Sequence, residues 1–540
     1  MSRRPIGRVV WALVALAGLL LLGGGVAVAA SPPEPTLTAT TPGLDGVPVL
    51  VTAPGVLGMG GPSVRVEVTS RDARGPVFVG VGRAGDVEAY LAGVARTDLT
   101  GWADGRTAVT SRAGAPSVVD PAGVDVWVVS ASGTGSVSLQ WPDLSGSWVA
   151  VAATDGGGPP RQVALTWTRG ATTSPAPALV AIGLVLVVAG SIGTLVLRRG
   201  RRVPPEVPPG PGRPGAAAIG VLLVPLLAVL GGCAQPALVP RAEPDPPHPA
   251  LAPRQAERVL DAVDAAVTRV RSAPRGADLP ADPRLVGPVR EALAAQATVR
   301  RGSGGPAPGA DPPGRTRLVL PESTGWPRWF LVAGQAPDRP TPVVRVLRSG
   351  TAREPYGLWA ELALLPGASL PEPGRTAGAQ VLAPDAGSGL VAAPTQVLRR
   401  YAGRLTSGRT PAGVAPDAYA DELLGRLRSD RERLGAKGVA TVSAVHVPAK
   451  GPVLALRTSD GGALVVGAVE QTYVVTVGKG KGSVTVTDPA LASLFGRPTI
   501  TRELRRTSLE VFAFAVPAAG SGAPVRLLAA SRTDLRATGS

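Results

Sequence analysis

Two histidines, one cysteine and scattered carboxylates are the chemically versatile side chains of this 540-residue chain. Neither G-x-S-x-G nor H-E-x-x-H occurs, so the sequence offers no nucleophile elbow and no helical zinc pair. Asp417, Asp421 and Glu422 crowd one short helical pattern. A carboxylate pair there can do acid–base work, although acidic residues in a first helical turn more often complement the helix dipole. His446 lies between Val445 and Val447 in a strand pattern and so faces away from them, with no partner visible in the sequence. The run Gly478-Lys479-Gly480-Lys481-Gly482-Ser483 lacks the spacing of a phosphate loop and falls between two strand patterns, which predicts a hairpin turn. His248 and His446 are the only imidazoles, so a His-based metal site is not expected, and a single thiol excludes an internal disulfide. No catalytic residue, metal or cofactor is assigned. Trp127, Trp141, Trp148 and Trp167 could stack on a glycan, but Trp127 and Trp148 stand in alternating strands, where a large ring fills the space between sheets.

The single thiol, Cys233, has a more specific setting. It closes the run Leu230-Gly231-Gly232-Cys233 at the exit of an 18-residue apolar stretch, Gly215 to Gly232, with Arg213 ahead of it and a Pro-rich tether behind, residues 234–252. These residues resemble the lipobox of bacterial lipoproteins. The resemblance implies a diacylglyceryl chain on Cys233 and cleavage before it, but lipoprotein signals begin a chain and this one follows some 200 residues. An ordinary third membrane helix with an incidental cysteine is the other reading of residues 215–233.

Two further apolar stretches position everything else. Val9 to Ala30 carries no charge and matches the roughly 20 residues a helix needs to cross a bilayer, and Arg3, Arg4 and Arg8 hold its start on the cytoplasmic side. The triplet Ala27-Val28-Ala29 also fits a signal-peptidase site, so residues 1–30 are either a first transmembrane helix or a cleaved signal peptide. Residues 177–197 form a second span, stopped by Arg198, Arg199, Arg201 and Arg202. An Arg/Pro-rich cytoplasmic loop, 198–214, follows. The formal charge of +16 is carried almost entirely by Arg in a chain without Asn, which points to composition and membrane topology rather than to a nucleic-acid partner.

Residues 31–176 read as an extracytoplasmic, all-β sandwich-like module. Strands are expected at 47–51, 63–69, 77–82, 125–131, 136–141, 148–153 and 162–168, with a short helix over 86–94. Phe78-Val79-Gly80-Val81, Asp86 to Ala95, Trp127 to Gly133 and Gly146-Ser147-Trp148 resemble a group of uncharacterised actinobacterial membrane proteins. That resemblance implies an extracytoplasmic β module between two membrane helices and attaches no activity to it.

Residues 253–370 and 394–540, joined by a linker at 371–393, each run helices first and strands second. Helices are expected at 253–272, 283–299, 394–405 and 417–434. Strands follow at 317–320, 329–333, 343–347 and 357–365, then at 440–447, 453–457, 463–477, 483–487, 509–516 and 525–531. Trp326 to Phe330, Pro355 to Trp359 and Leu364 to Gly367 resemble the C-terminal domain of actinobacterial putative lipoproteins of unknown function. The resemblance implies a tandem pair of α+β, cystatin-like or cone-like units, a layout that hosts pockets and docking surfaces alike.

The fold expected is therefore a multidomain membrane protein: a β-sandwich-like module, transmembrane helices, then tandem α+β units, with both large modules outside the cell membrane. Absent catalytic groups favour a non-enzymatic envelope protein whose partners are the lipid bilayer and envelope proteins or glycans. The alternative is a pocket in the C-terminal units for a lipid or small apolar ligand, with hydrolysis as a variant of it.

Overall fold

The computed structural model describes residues 4–30, 36–42, 47–103, 106–154, 160–168 and 176–199, and then 248–274, 281–303, 314–315, 317–323, 325–335, 341–374 and 377–540.

Two helices, α1 (Arg4–Ala30) and α3 (Ala176–Arg199), are long and apolar enough to cross a membrane over Val9–Ala27 and Ala178–Val196. They pack antiparallel along a seam of small residues. A Cβ on Gly18 would stand 2.6 Å from the backbone N of Val187, one on Gly183 2.7 Å from Leu22 N, and one on Gly190 2.7 Å from Ala15 N. Missing side chains thus bring the two backbones together, the usual means of helix association where lipid removes the hydrophobic driving force.

Between these helices lies the β module. A four-stranded sheet orders β1 (Thr36–Pro42), β10 (Gln162–Thr168), β3 (Ser63–Thr69) and β8 (Ser136–Pro142). A six-stranded sheet orders β6 (Arg106–Arg112), β5 (Arg96–Ala103), β2 (Val49–Thr52), β9 (Trp148–Thr154), β4 (Pro76–Arg83) and β7 (Trp127–Thr134). Alternation in β3 and β10 sends Val64, Val66, Val68, Val163, Leu165 and Trp167 into one core with Val77, Val79 and Val81 of β4. On its other face the six-stranded sheet is covered by α2 (Ala84–Tyr90), whose Val87 and Tyr90 pack on Phe78, Trp127 and Val151. Trp127, Trp141 and Trp167 are buried, and Trp148 is half-buried against Trp141. Packing, rather than ligand stacking, accounts for the first three.

The C-terminal half does not close as two separate units. Helices α4 (Pro253–Ser272) and α5 (Gly287–Ser303) precede β11 (Arg317–Pro321), β12 (Arg328–Gly334), β13 (Val343–Ser349), β14 (Gly357–Leu364) and β15 (Ala377–Ala379). Then α6 (Pro394–Ser407) and α7 (Ala418–Gly435) precede β16 (Ala440–Pro448), β17 (Leu454–Arg457), β18 (Ala463–Val477), β19 (Val484–Thr485), α8 (Pro489–Phe495), β20 (Thr499–Ile500), β21 (Glu503–Val516) and β22 (Arg526–Gly539). The last strand of the first set, β14, pairs with β22 of the second at Ala363↔Ala530 and Leu364↔Ala529, which makes one sheet of both sets.

That sheet nearly closes on itself. At its far side β15 pairs with β11, and the chain just after β15 reaches β17: Leu382 N donates to Ala455 O at 2.9 Å and Arg457 N to Gln380 O at 2.9 Å. The interior is filled by Trp329, Leu331, Val346, Trp359, Leu362, Leu456, Val466, Val511 and their neighbours, so it is a packed barrel core and not a lumen. Helix α4 covers one outer face through Val259, Leu260, Val263 and Val267, and α6 covers another through Val397, Leu398, Tyr401 and Leu405. The long strands β18, β21 and β22 run on beyond the barrel. There the second half of β18 leaves β17 and pairs with β16, forming a smaller sheet under α7 and α8.

Candidate functional site: the seam between the two modules

The residues quoted above for the two resemblances meet in space. Asp86 stands in the first turn of α2, where the helix dipole favours an anion, yet its carboxylate is buried. What compensates it comes from 242 residues downstream: the Arg328 guanidinium, 3% exposed, pairs with Asp86 Oδ1. Its other nitrogens are also occupied, Nε donating to Gly325 O at 3.1 Å and NH1 to Ala250 O at 3.3 Å, while the plane stacks on Trp326 at 4.6 Å. A buried cation satisfied on every side is expensive to build and cannot be exchanged for lysine without loss.

Asp125, between the short 3-10 turn at Pro121–Gly123 and β7, is the second anchor. Arg284 grips its carboxylate with both terminal nitrogens, the NH2 to Oδ1 contact at 3.0 Å, and Tyr356 N donates to Oδ2 at 2.7 Å. Backbone carbonyls of the β module take the remaining donors. Arg258 NH2 donates to Trp127 O and Val128 O, both at 2.8 Å, and Gln255 Nε2 donates to Asp125 O. Arg353 reaches Tyr90 O at 2.9 Å through Nε and Ala92 O through NH2. Trp326 packs against the cores of both modules, and Ala352 is buried in the α2 cluster. Burial pushes the hydroxyls of Tyr90 and Tyr356 far up from the ordinary phenol range, so both stay neutral across physiological pH.

A second polar constellation is buried under α6 and α7. His446 on β16 faces inward while Val445 and Val447 are exposed, as the alternation predicts. It is not alone: Gln471 Nε2 donates to His446 Nε2 at 2.9 Å, and Glu510 Oε2 lies 3.8 Å from the same nitrogen. Desolvation, then Arg532, lowers the His446 pKa to about 4. Glu510 is completely buried, accepts from Tyr419 OH at 3.2 Å and has Arg532 Nε 3.6 Å away; burial raises its pKa to about 7. Arg532 is itself occupied by Gln471 Oε1 at 2.9 Å. A cleft of about 240 Å³ between α5 and β14/β22 reaches this network at Arg532; Arg271, Gln296 and Glu361 line it together with Val267, Val289 and Leu293, while His446 and Glu510 are themselves buried and do not line it.

The carboxylates singled out in sequence have structural tasks. Asp417 caps α7 by accepting from Ala420 N at 2.8 Å, and also takes Arg404 NH1 at 2.6 Å and Tyr401 OH at 3.0 Å. Asp421 completes the Arg404 pair at 3.3 Å, and Glu422 pairs with Arg426 on the surface. Gly478–Ser483 is a turn, with Lys481 N donating to Gly478 O at 3.1 Å and Gly480 at φ 72°; it leads into β19 and not into a helix N-terminus, so it has no phosphate cradle. Among the described residues no group of His, Cys, Asp and Glu is arranged to hold a metal. Arg4 and Arg8 fall at the start of α1 and Arg198 and Arg199 at the end of α3, one end of the antiparallel pair. Arg3, Arg201, Arg202 and Cys233 lie outside the described residues.

Asp86, Asp125, Arg258, Arg284, Arg328 and Arg353 carried no sequence signal as a site. Their partners lie more than a hundred residues apart, and an isolated Arg or Asp is by default a solvated surface charge. No curated protein and no solved structure matches the chain. Residues 247–539, more than half of it, match the family described as Domain of unknown function (DUF8094), which places the barrel, its helices and every cationic side of the seam inside one family domain; the chain belongs to that family.

Proposed function

We propose that this is a cell-envelope membrane protein of the binding and docking kind, in which the β module and the barrel domain stand on the outer face of the membrane as one docked body. The seam is the observation that carries the reading. Two bodies that share buried ion pairs must lie on the same side of any bilayer, because ions held within protein cannot be paired across about 30 Å of hydrocarbon. The α1/α3 pair returns the chain to the face from which α1 began, so this reading requires one further crossing between residues 199 and 248, outside the described residues. Gly215 to Gly232 is the apolar run available for that crossing. Arginines at 3, 4, 8, 198, 199, 201 and 202 favour the cytoplasmic side for the opposite end.

If Cys233 is instead acylated and the chain cut before it, the barrel domain becomes a lipoprotein, and the seam then joins two chains rather than two parts of one. The docking reading survives either way. The filled barrel interior supports docking over a ligand-binding cone.

Alkaline phosphatase fused after residue 540 tests the topology. An active fusion, together with cleavage of both modules by protease added to spheroplasts, is the expected result. A cytoplasmic barrel domain would end the proposal. Mass spectrometry of Cys233 separates the one-chain and two-chain forms.

A further inference from the structure

The β module has a distinguishable end. Strand register puts Thr36 opposite Thr168, Thr168 opposite Ser63 and Ser63 opposite Pro142, so the start of β1 and the end of β10 share one rim with the β8–β9 turn and the loop before β3. Trp148 and Arg83, paired across β9 and β4, stand on that rim too. Five residues, 31–35, join it to α1, and seven, 169–175, join it to α3. At no more than about 3.5 Å per residue, neither connection allows this rim to stand far from the headgroups.

On that rim lies an open groove of about 520 Å³ lined by Leu57, Met59, Trp141, Leu144 and Trp148 beside Asp143. Its composition is that of an interfacial surface. Leu144 is 48% exposed, Met59 and Trp148 are half-buried, and the Trp148 ring meets the Arg83 guanidinium at 4.5 Å while its N–H donates to Ser145 O at 3.0 Å. An amphipathic indole with an exposed aliphatic neighbour and flanking charge is favoured where hydrocarbon gives way to headgroups. Met59 and Trp148 rest one side on the core and leave the other open, and Leu144 projects from the turn; the seam engages α2 and the 125–128 segment at the same end of the six-stranded sheet but on its outer face.

We infer that this rim is a lipid-contact surface: the groove at the β8–β9 turn sits in the headgroup layer, with Leu144, Met59 and Trp148 against the acyl boundary, and fixes the module upright on the membrane. The occupant is the bilayer itself. This rests on α3 spanning the membrane, as proposed above.

The test uses the full-length chain in phospholipid nanodiscs, in a Cys233→Ser background that leaves one introduced thiol. Leu144→Cys on the rim and Ser136→Cys at the opposite end of β8, about 20 Å away along the strand, are labelled with an environment-sensitive fluorophore. Lipid carrying a nitroxide near the headgroup is then added. The label at 144 is expected to be quenched about threefold more strongly than the label at 136, with a blue-shifted emission, as for a probe in the interfacial belt. Equal quenching, or none at 144 while the protein co-elutes with the nanodisc, overturns the inference and leaves the anchoring intact. Protein that elutes apart from the nanodisc overturns the anchoring and this inference together.

Discussion

Asp125 and Glu510 show how differently a buried carboxylate can be held. Asp125 collects Arg284, Tyr356 N and a position at the edge of a strand, and each contact would be left unmatched if it were shortened. Replacing Asp125 by Ala should weaken docking of the modules by about 3–5 kcal/mol, the usual consequence of leaving a buried partner charge uncompensated. Limited proteolysis at the seam and a second unfolding transition in denaturant would report it. An unchanged single transition would mean the ion pair contributes nothing to docking. Glu510 has too little compensation, and burial lifts its pKa from the ordinary carboxyl value of 4.5 to about 7. Its folded form therefore prefers the proton, so its contribution is fully present below about pH 4.5 and is lost as pH rises through 7. His446 has the opposite sign: its pKa falls from 6.5 to about 4, so stability is present above 6.5 and is lost as pH falls through 4. His446 contributes a rise over part of the same interval, so the expected outcome is a difference between proteins: from pH 5 to 7.5 Glu510→Gln should gain stability relative to the parent by up to about 3 kcal/mol, read from urea midpoints at the two pH values. Parallel profiles for the two proteins would refute the assignment.

The strands and helices divide into those announced by pattern and those hidden by chemistry. Helix α4 shows its buried face at Val259, Leu260, Val263 and Val267, and β3 alternates cleanly, so both are legible. By contrast, β21 begins at Glu503 and β22 ends at Gly539, well outside the apolar runs at 509–516 and 525–531. Their extensions carry Arg506, Ser508, Arg532 and Asp534 because they face the polar network under α7, where alternation in polarity gives way to pairing between strands. Strands β1, β5 and β6 were hidden for a related reason, being rich in Thr and Arg. Arg96, buried on β5, is held by Asp98 and Glu88. Among the helices, the close approach of α1 and α3 depends on glycine. Gly183→Leu, whose side chain has no room beside the backbone of Leu22, should loosen the pair and lower the unfolding temperature of the full-length protein in detergent, whereas Gly23→Leu, where a Cβ meets nothing, should not. Equal unfolding temperatures for the two variants would show that the helices do not pack by this face.

At the scale of the molecule, the seam predicts that the halves stay together without a covalent link. A protease site introduced within residues 200–246 should yield two fragments that co-purify in detergent, and adding Asp86→Ala and Asp125→Ala should separate them. Fragments that part without those substitutions would contradict a docked body. Composition and local pattern by themselves determined the apolar helices, the β-rich character of the first module and the alternation of helices and strands in the second, because each follows from a periodicity within a few residues. Only the tertiary structure decided that β14 joins β22 to make one barrel of what reads as two units, that His446 has Gln471 and Glu510 beside it, and that Asp86 and Asp125 bind arginines of the other module. Those outcomes turn on contacts between residues far apart in the chain, where the free energy of burying a charge is set by a partner that no local window contains.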